Sequence, residues 1–90
     1  MTAVADNTAA ERFELREQGQ LAYAAYARRE GKLFINYVEA APGLRGTGAA
    51  GRLMDGIAAQ ARTEGVRVVP ICGYAVSWFR RHPEHQDLLD

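Results

Sequence analysis

Lys32-Leu33-Phe34-Ile35-Asn36-Tyr37-Val38-Glu39-Ala40, followed closely by Leu44-Arg45-Gly46-Thr47-Gly48-Ala49-Ala50-Gly51, is the stretch that decides the fold. Its first nine residues are rich in aromatic and β-branched side chains and read as a strand. With a period of two, Leu33, Ile35, Tyr37 and Glu39 share one face, and Phe34, Asn36 and Val38 the other. Both faces are largely apolar, which predicts a central strand covered on both sides. Pro42-Gly43 stops it. Ala50, Leu53, Met54, Ile57, Ala58 and Ala61 then recur at helical spacing, so residues 50–64 read as an amphipathic helix that Gly65 ends.

The glycine-rich turn between them stands where unpaired backbone N–H groups and the positive end of a helix dipole point at one place. Glycines at 46 and 48 let a bulky anion approach the backbone and allow positive φ. Arg45 and Arg52 bracket the turn and add positive charge. The spacing is not that of a P-loop, because no lysine follows the second glycine, nor of the dinucleotide fingerprint, which needs a third glycine. On the turn alone, an anion site and a ligand-free strand-to-helix connection are both open.

Upstream, Phe13 and Leu15 alternate with charged residues, a short strand that runs into Gln18-Gly19-Gln20. Residues 21–27 fit helix by their alanines, but the turns at Gly19 and at Glu30-Gly31 favour a strand between two hairpins. Residues 1–10 are small and polar without periodicity and read as a disordered start, leaving 11–90 as one domain. Downstream, residues 66–71 read as a second buried strand. Residues 74–81 read as a short helix with Ala75, Trp78 and Phe79 inward, ended by Pro83. The order is β-β-β-α-β-α, an α/β (α+β) mixed sheet with helices packed on it. The helical crossover makes strands 32–40 and 66–71 parallel.

Ninety residues make one compact domain with a thin core. Eleven basic and eleven acidic residues cancel, which argues against a nucleic-acid binder. One cysteine excludes an internal disulfide. No apolar run reaches the length of a membrane span or a leader, so a cytoplasmic protein is expected. His82 and His85 are separated by Pro83, and with no convincing third ligand no metal site is expected.

Four ordered blocks resemble the GNAT superfamily of acyl-CoA N-acetyltransferases, and in particular its very small single-domain members. They are Tyr37-Val38-Glu39-Ala40, Leu44-Arg45-Gly46-Thr47-Gly48, Val69-Pro70-Ile71-Cys72-Gly73-Tyr74 and His82-Pro83-Glu84-His85. That family shows His-Thr-Glu-Val, Leu-Arg-Gly-x-Gly, Val-Pro-x-Cys-x-Tyr and His-Pro-Glu-Tyr. The likeness spans roughly residues 12–89. It implies a GNAT-like fold with acetyl-CoA lying between two splayed parallel strands. The pyrophosphate would rest on the N–H groups of Gly46, Thr47, Gly48, Ala49, Ala50 and Gly51 beside Arg45. The backbone around Val38 and Ala40 would meet the pantetheine and the acetyl carbonyl. Pro70 fits such a splay, because a proline removes a ladder donor, although an ordinary edge position explains it equally. Two positions depart from the family: its strand histidine is Tyr37 here and its C-terminal tyrosine is His85. Tyr37 is a poor base, with a reference pKa near ~10.

Three residues are candidates for chemistry. Glu39 is the best base for taking the proton of an amine acceptor, or else a solvated charge closing a strand. Tyr74 protonates a departing CoA thiolate, or is a core aromatic. Cys72 is an acyl-accepting nucleophile or a small pocket-lining hydrophobe, the second being favoured. The reading is N-acetyl transfer from acetyl-CoA to a small-molecule or protein amine by direct attack. The alternative is a non-catalytic acyl-CoA-binding sensor or partner protein. Neither nucleic acid nor membrane is expected as a partner, and the chain is expected to be a monomer or weak dimer.

Overall fold

The computed structural model describes residues 3–90. Its elements are β1 (Ala5–Asn7), β2 (Arg12–Glu17), β3 (Gln20–Arg29), β4 (Lys32–Ala40), a 3-10 turn (Pro42–Leu44), α1 (Ala49–Glu64), β5 (Arg67–Pro70), α2 (Gly73–Arg80) and a 3-10 segment (Pro83–Leu88). The five strands lie in the order β1-β2-β3-β4-β5. All neighbours are antiparallel except β4 and β5, which the α1 crossover makes parallel. The expected β-β-β-α-β-α order is present, preceded by one further strand.

That strand corrects the expectation of a disordered start. Ala5–Asn7 pairs with Arg12–Glu14, and its order comes from polar side chains rather than apolar alternation. Asn7 Nδ2 donates to Glu14 at 3.0 Å, Tyr26 donates to Asp6 at 2.6 Å, and Arg28 reaches Asp6 at 2.9 Å. Periodicity carries no signal for such contacts. Residues 1–2 lie outside the described residues.

Two two-residue loops set the register of the meander. Gln18-Gly19 joins β2 to β3 and Glu30-Gly31 joins β3 to β4, and all four residues have positive φ. That is the backbone of a type I′ turn, whose twist matches that of the flanking strands. The core lies on one face of the sheet. Phe13 and Leu15 on β2, Ala22, Ala24 and Tyr26 on β3, and Leu33 and Ile35 on β4 are buried there. Leu53, Met54, Ile57, Ala58 and Ala61 of α1 and Ala75, Trp78 and Phe79 of α2 belong to the same cluster. The alanines of β3 leave room for α1 to lie close to the sheet.

β4 departs from the regular alternation expected of it. Ala25 pairs with Tyr37 and Tyr26 with Ile35, so Asn36 is an extra residue, a β-bulge. The bulge reverses the parity of everything after it. Leu33 and Ile35 face the core before Asn36; Val38 and Ala40 pack against it afterwards, opposite buried Ala24 and Ala22. Tyr37 and Glu39 therefore lie on the other face of the sheet from Leu33 and Ile35. That other face is not covered by a helix: Asn36 is exposed and Phe34 only half-buried. A period of two cannot register an inserted residue, and the two faces look equally apolar because they exchange roles within one strand.

Candidate functional site

The parallel ladder between β4 and β5 ends where the bulge begins. Its last pair is Ile35 with Pro70, and the Ile35 carbonyl then accepts both Ile71 N–H at 2.9 Å and Cys72 N–H at 3.3 Å. Beyond Ile35, β4 runs on through Ala40 paired only with β3. Ala41 N–H donates to the Leu21 carbonyl, so by antiparallel alternation Glu39 and Tyr37 turn their backbone groups toward β3. Val38 and Ala40 consequently turn theirs toward the side that β5 has left. The sheet is open there, along the edge that strand, turn and helix share.

The glycine turn closes one end of this opening. Gly46 has φ +79° and Gly48 φ +86°, a left-handed conformation that side chains disfavour. Thr47 braces the turn: its hydroxyl donates to the Leu44 carbonyl at 2.6 Å and accepts the Ala49 N–H at 3.3 Å. Its own N–H bonds the same carbonyl at 3.2 Å. The first N–H returned to the helix is that of Arg52, to the Gly48 carbonyl at 3.0 Å. The N–H groups of Gly46, Gly48, Ala50 and Gly51 have no acceptor among the described residues. All four residues line one cleft of about 290 Å³ with Ala40, Leu44, Arg45, Ala49 and Tyr74. A cleft of this size, with free donors on one wall and a guanidinium beside them, fits a pyrophosphate.

Of the two bracketing arginines only Arg45 lines the cleft. Arg52 is held by Glu17 in a two-point ion pair at 2.8 and 2.7 Å. Its Nη1 would lie 3.0 Å from a Cβ placed on Gly48. This pair, between residues far apart in sequence, left no local signal to read. Nor did Leu44, which is buried beneath the turn and forms part of the cleft wall.

Tyr74, in the first turn of α2, lines the cleft with 36% of its surface exposed. Burial pushes its phenol above the ordinary range, with the charge of Asp55 adding to the rise and Arg81 opposing it. Glu39 is half-buried on the outer face of the sheet. The Tyr37 phenol donates to its carboxylate, and that bond, with the carboxylate's charge, raises the tyrosine's pKa. Val38, Thr47, Glu39 and Cys72 are not part of the cleft lining. Cys72 caps α2, its sulfur accepting the Ala75 N–H at 3.4 Å, and it packs against the core. The structure thus gathers Ala40, Arg45, Gly46, Gly48, Ala49, Ala50, Gly51 and Tyr74 into one cleft. Glu39 stands on the opposite side of the same strand end.

Among the described residues no group of three metal-ligating side chains occurs, and no helix is long and apolar enough to cross a membrane. His82 and His85 stack on Trp78, with ring centroids 4.0 and 5.5 Å away. His82 Nδ1 donates to the Trp78 carbonyl at 2.7 Å, while His85 accepts from Arg62 at 3.1 Å.

A profile of the GCN5-related N-acetyl-transferase family matches residues 12–88. No curated protein matches the sequence. Among solved structures, the chain is similar to the solution structure of a GCN5-like protein from Staphylococcus aureus, described there as a candidate N-acetyltransferase. The TM-score is 0.70 at 17% identity, over 97% of this chain and 86% of that one.

Proposed function

From the premise that the chain belongs to the GCN5-related N-acetyltransferase family, we propose that it transfers an acetyl group from acetyl-CoA to an amine by direct attack. The observation that carries this reading is the cleft of four free N–H groups, Arg45 and Tyr74, which lies at the end of a strand whose partner has departed. The cofactor supplies an activated acetyl thioester when bound. Gly46, Gly48, Ala50 and Gly51 hold the pyrophosphate through their backbones, and Arg45 adds a charge-assisted bond.

The outward-turned N–H groups of Val38 and Ala40 are free to hydrogen-bond the pantetheine and polarise the acetyl carbonyl. Glu39, on the face left open to solvent, takes the ammonium proton of the acceptor through water. Tyr74, a phenol protonated at neutral pH in any case and more firmly so here, gives its proton to the departing thiolate. The thiolate, whose conjugate thiol has a pKa of about 8.5, is a weaker base than the phenolate, so this transfer runs uphill and is drawn as accompanying C–S cleavage. The capping role of Cys72 supports leaving it out of the route.

One observation favours the second reading, a non-catalytic acyl-CoA binder. The Glu39 carboxylate is already engaged by Tyr37. Calorimetric titration with acetyl-CoA, followed by thiol release over a panel of amines, separates the two. Binding with acceptor-dependent release is expected. Binding without release supports the binder, and failure to bind any CoA species refutes both. Intact-mass measurement after exposure to acetyl-CoA tests the covalent route, which requires an acetyl adduct lost in Cys72→Ser.

A further inference from the structure

On the outer face, Glu39 has two aromatic rings beside it that the acetyl-CoA cleft does not use, Tyr37 on its own strand and Tyr23 on β3. Tyr23 lies directly opposite Glu39 across the β3–β4 ladder, and Ala25 lies opposite Tyr37. The two tyrosines are therefore diagonal neighbours, their ring centroids 6.3 Å apart and their planes inclined at 55°. Ala25 contributes only a methyl group beside them. Tyr37 is 49% exposed, although it is a large aromatic side chain. The result is a notch walled by two inclined π-faces, with a carboxylate at its end and no helix over it.

The chemistry of that notch is specific. The negative faces of two phenol rings attract a cation, and a carboxylate nearby adds to the attraction. Tyr23 already shows this behaviour: the Arg12 guanidinium lies 4.9 Å from its centroid, held from the β2 side by Glu14 at 2.6 Å. The side toward β4 belongs to Tyr37 and Glu39. Arg45, which has no ion-pair partner among the described residues, acts on Tyr37 through its charge and opposes the rise of its pKa. Acyl-CoA phosphates on Arg45 would remove that opposing charge, so the notch should take a cation more readily after the cofactor than before it.

We infer that Tyr23, Tyr37 and Glu39 form the acceptor subsite, and that it selects a protonated alkylamine over a neutral or aromatic amine. The inference rests on the acetyl-transfer reading for the meaning of the site, but the binding it asserts is testable without any turnover. Tetramethylammonium carries the charge and cannot be acetylated; 3,3-dimethylbutan-1-ol has a similar apolar head and no charge.

Titration of each into the full chain, followed by the ring-proton signals of the tyrosines, is the test. Tetramethylammonium should shift the Tyr23 and Tyr37 signals saturably, at least ten-fold more tightly than the alcohol. Tyr23→Leu and Glu39→Gln should each weaken it several-fold, and Tyr37→Phe, which keeps the π-face, by less than Tyr37→Leu. Equal binding of the alcohol, shifts confined to other signals, or no saturable shift would overturn the inference. If the ammonium binds as described while no CoA species does, the subsite stands and the acetyl-transfer reading falls. If acetyl-CoA binds and amines react, yet tetramethylammonium leaves both rings untouched, the subsite falls alone.

Discussion

Replacing Gly48 by alanine adds one methyl group at the point where the turn, the helix and the Arg52–Glu17 ion pair meet. At φ +86° the new side chain adopts a left-handed conformation, which costs about 1–2 kcal/mol. The methyl would also lie 3.0 Å from Arg52 Nη1, so the guanidinium must give by a few tenths of an ångström, which disturbs its two contacts with Glu17. Both side chains are partly exposed, so this second effect is small beside the backbone strain. The strain of about 1–2 kcal/mol corresponds to a fall in Tm of roughly 4–16 °C for a domain of this size. Gly46→Ala is the internal control. Its φ of +79° imposes the same strain, but nothing lies within 4 Å of its added Cβ.

Thermal unfolding followed by circular dichroism, in the wild-type and Arg52→Met backgrounds, should therefore show an asymmetry. The cost of Gly48→Ala should shrink when Arg52 is absent, and that of Gly46→Ala should not change. Saturating acetyl-CoA should stabilise the wild type by roughly 2.7 kcal/mol at a hundred times its dissociation constant. That increment should be largely lost in Gly48→Ala, because the methyl shields the donors of the turn. Equal responses of the two variants to Arg52→Met would refute the close approach. A full acetyl-CoA increment in Gly48→Ala would refute the turn as the anion site.

Tyr74→Phe should lower the rate of thiol release ten- to a hundred-fold and leave acetyl-CoA affinity within about two-fold, as checked by calorimetry; an unchanged rate removes Tyr74 from the chemistry. In Glu39→Gln, turnover should rise nearly ten-fold per pH unit between about pH 6 and 9, because only the free form of an amine with pKa near ~10 then attacks, whereas the wild type, with Glu39 taking the proton, should rise less steeply. The raised pKa of Tyr74 should postpone any decline beyond the ordinary phenol range, and identical pH profiles for the wild type and Glu39→Gln would remove Glu39 from the path of the proton. Glu14 is held below the ordinary carboxylate range by Asn7 and Arg12, Glu17 by Arg52, and Asp87 by Arg62. Their depressed values mean that the unfolded chain takes up protons first as pH falls. Stability should be complete above about pH 5 and lost progressively below it, read as a falling urea midpoint. A midpoint flat down to pH 3 would show these contacts to be inert.

Much of this molecule could be read from its sequence, because the decisive signals are local. Gln18-Gly19 and Glu30-Gly31 specify hairpins by backbone conformation alone, and the α1 stripe from Leu53 to Ala61 fixes one helix face. The glycine turn was legible for the same reason, whereas Pro70, which pairs last in the ladder, reads equally as an edge position in the sequence. What escaped was long-range. Glu17 and Arg52 meet across the sheet, Tyr23 meets Tyr37 across two strands, and Ala5–Asn7 is ordered by carboxylate and amide contacts. The faces of β4 escaped because Asn36 is one residue too many for any periodic count.

That surplus residue governs what kinds of change the strand can accept. Substitution at 37 or 39 alters a solvent-facing group and leaves the layer under α1 as it was. Deletion of Asn36 would straighten the strand without exchanging faces, because Tyr37 would then follow Ile35 opposite the consecutive pair Ala25 and Tyr26. Deletion of Val38 would instead act like a frameshift within a folded chain, driving the Glu39 carboxylate beneath the helix and turning Ala40 out to water. The reactive face of β4 is therefore open to alteration by identity and closed to alteration by length beyond the bulge, and variants selected for new acceptors should differ at 37 and 39 while keeping the count of residues after Asn36.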